Sequence, residues 1–428
     1  MTLAPHSAAP ACALPDSPLA AELPGLRTCV HCGFCLQACP TYTALGDEND
    51  SPRGRLVLMR ALIEGELAPD DSALSTHIER CLGCRACETA CPSGVPYGRL
   101  LEATRATLAE RVERPAVARL VLAIFARPPL LRLVLALARG MRASRLSALG
   151  ARLPGRLGAA AALLESTRPA IPSRGYEAHG SGDRGAVALL RGCVMDGLFA
   201  ETNRATARTL IVNGYEIREV AGQRCCGALH AHAGDLEGAR ALARANIAAF
   251  ERTPTPWVAV NASGCGAHMK EYGHLLSGDI EWSARAAAFS DRVRDVSELL
   301  AAAGPVQGGA LEGKVAYDAP CHLLHAQRIA QPPLAVLDAI PQLDVGPLAD
   351  ADRCCGGAGI YNLLQPDLSA RVLEPKLEQI DAAGVTLVAT GNPGCAMQIG
   401  GALVRRGARA RVVHLVDLLD ASYAARRP

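Results

Sequence analysis

The 428-residue chain has few aromatic side chains, 4% of the total, and almost no excess charge, a formal +2. General nucleic-acid binders show a basic excess and stacking rings, so that class is excluded. Lysine is nearly missing: of 44 basic residues only 3 are lysine, which together with the abundant alanine reads as compositional bias without functional content. No uninterrupted apolar run reaches the roughly 20 residues of a membrane-crossing helix, because Arg and Pro break the longest candidate. Met1–Ala20 lacks a basic n-region and an apolar h-region. No signal peptide is read there, and a cytoplasmic location is expected. What abounds is cysteine, with 17 residues. The chain is too large for a small disulfide scaffold, and without export so many thiols point to metal ligands or redox groups. They divide into eight, eight and a leftover Cys12 in an Ala/Pro-rich leader, residues 1–20, expected to be disordered.

The first eight form two runs, Cys29-x2-Cys32-x2-Cys35-x3-Cys39-Pro40 and Cys81-x2-Cys84-x2-Cys87-x3-Cys91-Pro92. This is the spacing of the bacterial [4Fe–4S] run, in which three thiolates wrap one face of a cubane from a tight loop and the fourth serves the other cluster. The expected sets are therefore Cys29, Cys32, Cys35 and Cys91 for one cluster, and Cys81, Cys84, Cys87 and Cys39 for the other. Zinc sites usually show two separate Cys-x2-Cys pairs instead. The 41 residues between Cys39 and Cys81 include Arg53–Glu64, which reads as a helix. A mainly helical two-cluster ferredoxin domain is expected over residues 21–110.

The second eight reveal a repeat. Cys193, Cys225, Cys226 and Cys265 recur as Cys321, Cys354, Cys355 and Cys395 at offsets of 128, 129, 129 and 130. Near-constant offsets imply duplicated domains, expected at 185–305 and 313–420. Short apolar runs at 187–190, 258–260, 314–317 and 386–389 alternate with helix-like stretches at 203–212, 237–250, 334–340 and 368–382, a pattern that implies parallel sheets. The fold class is α+β multidomain: a helical ferredoxin domain, then two tandem α/β cysteine-rich domains. Cysteines at the carboxyl ends of strands gather where open α/β sheets place ligands. An iron–sulfur site, a zinc site and free redox thiols all remain open for each unit. His268, His322 and His325 lie near these thiols in sequence and are expected to hydrogen-bond to the thiol edge, with metal ligation as the alternative.

Between the halves, Arg111–Arg156 holds ten Arg and a single acid, Glu113. The region 111–167 reads as basic amphipathic helices, either packed on the ferredoxin domain or lying on a membrane surface or partner. Residues 168–184 read as a Pro/Gly/Ser-rich linker. Its Gly180-x-Gly182-x-x-Gly185 precedes a strand instead of following one, so it is no dinucleotide fingerprint. Gly308-x4-Gly313-Lys314 lacks the Ser/Thr of a P-loop.

The text around these motifs is similar to the iron–sulfur subunits of glycolate oxidase, within the wider group of two-cluster ferredoxins fused to twin cysteine-rich (CCG) domains. It carries Cys29-Val-His-Cys-Gly-Phe-Cys, Cys39-Pro-Thr-Tyr, Gly46-Asp-Glu and Ser51-Pro-Arg-Gly-Arg. Further matches are Arg80-Cys-Leu-Gly-Cys-Arg-Ala-Cys-Glu-Thr-Ala-Cys-Pro-Ser-Gly-Val, Ala262-Ser-Gly-Cys-Gly-Ala, Lys270-Glu-Tyr-Gly and Cys354-Cys-Gly-Gly-Ala-Gly. The resemblance spans about Leu26 to Leu419. It implies an electron-transfer subunit with no substrate-oxidising residue of its own. An FAD-binding partner would oxidise glycolate to glyoxylate, and this chain would relay electrons towards a membrane quinone, from the cytoplasm or the inner face of the cell membrane. Cousins serve lactate or glycerol-3-phosphate oxidation, and the cysteine-rich subunit of heterodisulfide reductase suggests a thiol–disulfide reductase as a rival reading. A zinc-stabilised docking scaffold is a third. The chain departs from the Cys-x-x-Cys motif of heterodisulfide reductase: here the text is Cys265-Gly-Ala-His268 and Cys395-Ala-Met-Gln398, so a fifth thiol is missing from each unit.

Overall fold

The computed structural model describes residues 12–172, 175–346 and 348–426. From Pro18 to Glu165 every regular element is helical, and the strands follow. β1 (Ala186–Leu189), β2 (Glu216–Arg218), β3 (Trp257–Val260) and β4 (Val293–Asp295) form one sheet in the order β2-β1-β3-β4. β5 (Gly313–Tyr317), β6 (Leu343–Gly346), β7 (Leu387–Thr390) and β8 (Arg411–His414) form a second in the order β6-β5-β7-β8. All pairings are parallel, with Val187 opposite Trp257 and Val315 opposite Leu387. The four apolar runs are the inner strands to within one residue. The intervening helices run Ala200–Val212, Leu236–Glu251, Gln331–Asp338 and Pro366–Ala383. The outer strands β2, β4, β6 and β8 escape the sequence pattern: β2 and β6, for example, are edge strands with little burial and no apolar run to mark them.

The two sheet units share a core. Val187, Leu189 and Leu210 of the first pack with Val315, Val336, Leu415 and Leu419 of the second. Polar ties cross the same seam: Ser263 N donates to Gly391 O (3.1 Å), and His414 Nε2 lies 2.9 Å from Asn261 O. A buried ion pair joins Lys376, on the Pro366–Ala383 helix, to Asp318 just past β5, and Thr390 Oγ1 donates to the other Asp318 oxygen at 2.9 Å.

In the helical domain, Ser51 caps the Pro52–Ile63 helix by accepting from Gly54 N at 2.9 Å. Leu56, Met59, Leu62 and Ile63 fill the core. A Cβ on Gly54 would lie 2.0 Å from Glu48 O, so only glycine lets the preceding turn seat on this helix. The leader departs from expectation. Residues 1–11 lie outside the described residues, but Pro18–Ala21 is a helical turn and Leu19 is fully buried, its N–H bonded to Thr107 Oγ1 at 3.1 Å. Cys12, expected to be free in a disordered leader, is free but packs against this core. Leu19 and Leu14 are apolar enough to close the open end of a small core, which a reading of the Ala/Pro content overlooks.

The basic segment forms Ala116–Ala126, Pro128–Ala143, Leu146–Gly150 and Gly155–Glu165, the first two meeting at 105°. No single helix among the described residues is long and apolar enough to cross a membrane. Arg114, Arg139 and Arg142 bind backbone carbonyls of the first sheet unit. Arg111, Arg127, Arg132, Arg145, Arg152 and Arg156 make no side-chain hydrogen bond or ion pair among the described residues. Beside them Leu120, Leu133, Leu137, Leu149, Leu153 and Leu157 are more than half exposed.

Breaking the buried Asp318–Lys376 pair should be costly, because a lone buried carboxylate cannot be rehydrated. Lys376→Met is expected to destabilise the protein by about 3–5 kcal/mol, and the double variant Asp318→Asn/Lys376→Met by clearly less. Urea-unfolding midpoints of the anaerobically purified proteins test this ordering.

Candidate metal centres

Both cysteine runs have the same backbone. The residue before and the residue after the middle cysteine are left-handed in each: His31 (φ 55°) and Gly33 (φ 84°) around Cys32, Gly83 (φ 63°) and Arg85 (φ 63°) around Cys84. Two such reversals curl five residues into a ring, which is how thiols at every third position come to face inward. For His31 and Arg85 this backbone costs about 1–2 kcal/mol each.

The thiols gather in two groups. Cys29, Cys32, Cys35 and Cys91 line one cavity with Leu56, Val95 and Tyr97. Burial pushes the Cys35 thiol up to about 11, and the neighbouring Cys29 and Cys91 add to the effect. The second group is deeper: burial raises Cys87 well above the usual thiol range, with Cys84, Cys81 and Cys39 beside it. No disulfide forms among the described cysteines. Thiols this buried resist ionising unless a metal centre compensates. Four soft donors converging in an apolar setting with no carboxylate in the set suit iron–sulfur chemistry. The donor set therefore fits the group.

Arg55 is a functional residue quoted only as motif text above. Its side chain is fully buried. Nη2 pairs with Asp50 Oδ1 (3.1 Å), Nη1 donates to Thr41 Oγ1 (3.1 Å) and Nε to His77 O (2.7 Å). Nη1 also lies 4.0 Å from Cys39 Sγ. Arg80 Nη1 reaches the other Asp50 oxygen at 2.9 Å. This puts a permanent cation against the second thiol group.

In the cysteine-rich units the thiols follow strand ends either side of the point where strand order reverses. Cys193 follows β1 and Cys265 follows β3, with Cys225 and Cys226 in the loop after β2. Cys193 Sγ lies 3.7 Å from Cys225 Sγ. Cys226 adjoins Cys225 in the chain and packs with Cys265, so the four thiols gather at one edge. The second unit repeats it: Cys321 packs with Cys354, and Cys355 with Cys395. Gly356 N, in place of a spare ligand, donates to Cys354 Sγ at 3.4 Å.

The units have different neighbours. Leu82, Cys84 and Ala86 of the second run pack with Cys321, Cys354, Tyr361 and Leu368 of the second unit. Cys84 and Cys354 thus share one packed cluster, and their thiols perturb each other's ionisation. Nothing in the spacing signals that meeting. The first unit contributes histidines of its own to the seam instead. His232 Nδ1 lies 2.7 Å from Glu102 Oε1, and the His232 ring stacks on His322 at 5.3 Å between centroids. Burial works to raise Glu102, but His232 holds it down at about 2. Burial lowers His268 to about 4 and His322 to about 3, and the Nε2 of each is without a partner. His322 Nδ1 is 3.9 Å from Cys321 Sγ, as the sequence suggests. His325 is not at the thiol edge: it is held by Thr89 Oγ1 (2.9 Å) and Asp352 O (3.0 Å), because it lies one helical turn beyond and faces the ferredoxin domain.

Fold and thiol groups together define an iron–sulfur protein that joins a two-cluster ferredoxin-type domain to twin cysteine-rich domains. A 4Fe-4S dicluster domain matches residues 25–95, and a cysteine-rich domain matches residues 187–270 and 315–400. A probable glycolate oxidase iron-sulfur subunit of Bacillus subtilis is 38% identical over 421 residues, 92% of this chain and 93% of that protein. The glycolate oxidase iron-sulfur subunit of Escherichia coli is 34% identical over 412 residues, again 92% and 93%. Lactate utilization protein A of Anoxybacillus flavithermus is 28% identical over 236 residues, 55% of this chain and 98% of that protein. The chain belongs to the family of glycolate oxidase iron–sulfur subunits.

A cation beside a cluster favours its reduced, more negative state. At an effective dielectric constant of about 20, one buried charge several ångströms away contributes about 1–2 kcal/mol. That is about 40–90 mV for a one-electron couple. Arg55→Met should lower the midpoint potential of one cluster by this amount and leave the other near its original value, as read by redox titration monitored by EPR.

Proposed function

We propose that the chain is the electron-transfer subunit of a glycolate-oxidising complex, carrying electrons from a flavoprotein partner towards a quinone. The observation that carries this reading is the pair of thiol groups in the ferredoxin domain, one near the surface and one buried against a third group of thiols. Cys29, Cys32, Cys35 and Cys91 hold one [4Fe–4S] cluster, and Cys81, Cys84, Cys87 and Cys39 the other. Bound clusters supply one-electron redox chemistry, and the protein supplies position and electrostatics.

The chain's own residues define a direction. Cys32 is exposed, and Val30 and Phe34 beside it are 66% and 69% exposed. That apolar tip is where the flavoprotein seats. Arg55 and Tyr97, whose hydroxyl lies 3.8 Å from Cys81 Sγ, set the environment of the inner group. The packing of Cys84 with Cys354 extends the path to the second cysteine-rich unit. That unit's Cys321, Cys354, Cys355 and Cys395, and Cys193, Cys225, Cys226 and Cys265 of the first, are the candidate further sites for iron–sulfur or zinc. Glycolate is favoured over lactate because the glycolate relatives match along 92% of the chain and the lactate relatives along 55%.

The complex reconstituted with its flavoprotein subunits should lose its cluster absorbance when glycolate is added under argon, and Cys32→Ser/Cys84→Ser should abolish that response. A colourless, iron-free preparation would end the proposal.

The six arginines without a partner among the described residues, and the exposed leucines beside them, make residues 111–156 a surface for anionic lipid, with arginines at the headgroups and leucines in the acyl boundary. The chain should co-sediment with phosphatidylglycerol vesicles, not with phosphatidylcholine vesicles. Leu133→Glu/Leu137→Glu should weaken this at least tenfold, and retention at full strength would count against the surface.

A further inference from the structure

The two cysteine-rich units differ at one position of their thiol edges. Cys265 stands in the first turn of the helix Ser263–Lys270, and Cys395 in the first turn of Pro393–Arg406. One turn further on, on the same helix face, the first unit has His268 and the second Gln398. Both side chains are buried. Gln398 is fully used: its Nε2 donates to Ser369 Oγ and its Oε1 accepts from Asn362 Nδ2, each at 2.9 Å. The Ser369 hydroxyl donates in turn to Gly356 O at 2.8 Å, so hydrogen bonds alone tie Gln398 to the Cys354-Cys355-Gly356 loop.

The first unit has no such ties. Ala239 takes the place of Ser369, its carbonyl lying against Gly227 as that of Ser369 lies against Gly356, and it offers no hydroxyl. His268 Nε2 is left without a partner. It faces the Cys225-Cys226-Gly227 loop, where a Cβ on Gly227 would come within 3.2 Å of it. The ring stands edge-on to Tyr272, with centroids 5.5 Å apart and planes at 86°, and Tyr272 Oη donates to Cys226 O at 2.6 Å. One tyrosine thus fixes both the imidazole and the loop of adjacent thiols. A buried polar nitrogen with no partner costs about 1–3 kcal/mol, and neutral imidazole is the commonest metal ligand. Orphaned nitrogen, glycine cradle and four thiols at one edge together fit a metal centre with mixed sulfur and nitrogen donors. A single zinc ion holds its donors at about 2.0–2.3 Å, and so within about 4 Å of one another. Among the described residues no three of these five donor atoms lie mutually within 4.8 Å. A group of several irons, with donors on different metal atoms, suits that spread.

We propose that His268 Nε2 is a ligand of an iron–sulfur group in the first cysteine-rich unit, beside Cys193, Cys225, Cys226 and Cys265, whereas the second unit binds through Cys321, Cys354, Cys355 and Cys395 alone. The inference rests on the electron-transfer reading and gives the twin units different centres. A neutral imidazole in place of a thiolate removes one negative charge, so the group is more easily reduced than it would be with a thiol at position 268. Histidine ligation raises the potential of [2Fe–2S] centres in the same sense.

The test is pulsed EPR of the full-length chain, loaded with iron under argon and labelled with ¹⁵N-histidine, in oxidised and reduced states. One iron–sulfur signal should show a nitrogen coupling that changes with the isotope. His268→Cys should abolish the coupling, keep the iron content and lower the midpoint potential of that signal alone. His268→Gln, which copies the second unit, should also abolish it. In both variants the signals of the two ferredoxin groups should persist, which reports a folded chain. Three results overturn the assignment: no histidine coupling in the parent, coupling that survives in His268→Cys, or zinc in place of iron beyond that of two [4Fe–4S] groups. The isotope effect is read without turnover. Coupling in a complex whose clusters ignore glycolate overturns the electron-transfer reading alone, and clusters that respond to glycolate without the coupling overturn the ligand alone.

Discussion

One buried guanidinium holds the two cysteine runs against each other. Arg55 reaches Thr41, two residues past the end of the first run, and the carbonyl of His77, four residues before the second. It does so from a helix whose apolar face fills the same small core. Asp50 balances its charge, and Arg80 and His77 share that carboxylate. Because Arg remains protonated in any protein interior, this cation cannot be titrated away. It sits where thiols would otherwise be driven neutral by burial, so the same contact that aligns the runs also favours negative charge on their sulfurs.

The alignment has consequences beyond the helical domain. The second run is wedged between the two sheet units: Tyr361 Oη donates to Arg80 O, Arg328 to Glu88 O, and Arg85 pairs with Glu271 of the first unit. A duplicated pair of domains would otherwise present two equivalent thiol edges. A single loop packed against both makes them unequal. The second unit packs Cys354 against Cys84. The first unit instead sets its own His232 and His268 against the Glu102 carboxylate and the His322 ring, and burial keeps His268 and His322 from taking up a proton near neutral pH. Divergence between repeats here follows from a third body packed against them, with little change in their own motifs.

Local motifs were legible where one short stretch carries its own geometry. The cysteine spacing foretells the curled loops, the text after Ser51 foretells the helix that fills the small core, and the apolar runs foretell the inner strands. Less legible were contacts whose partners share no local pattern. Arg55 looks like any other arginine in an arginine-rich chain, and Glu102 and His232 lie 130 residues apart. His325 was misplaced by sequence proximity alone, since a helical turn moved it to the opposite side. The described part of the leader, residues 12–20, was misjudged because composition describes an average and a single buried leucine is enough to anchor a segment.

By itself the sequence determined the chemistry on offer: which residues are thiols, at what spacing, in how many repeats, and therefore that the protein handles iron and electrons. Those properties are local or periodic, and a linear text preserves them. Only the tertiary structure decided which thiol group is deep and which is near the surface, and which repeat touches the inner group. Each of these depends on the packing of segments more than a hundred residues apart, where the geometry is set by shared cores and buried ion pairs that leave no trace in spacing or composition.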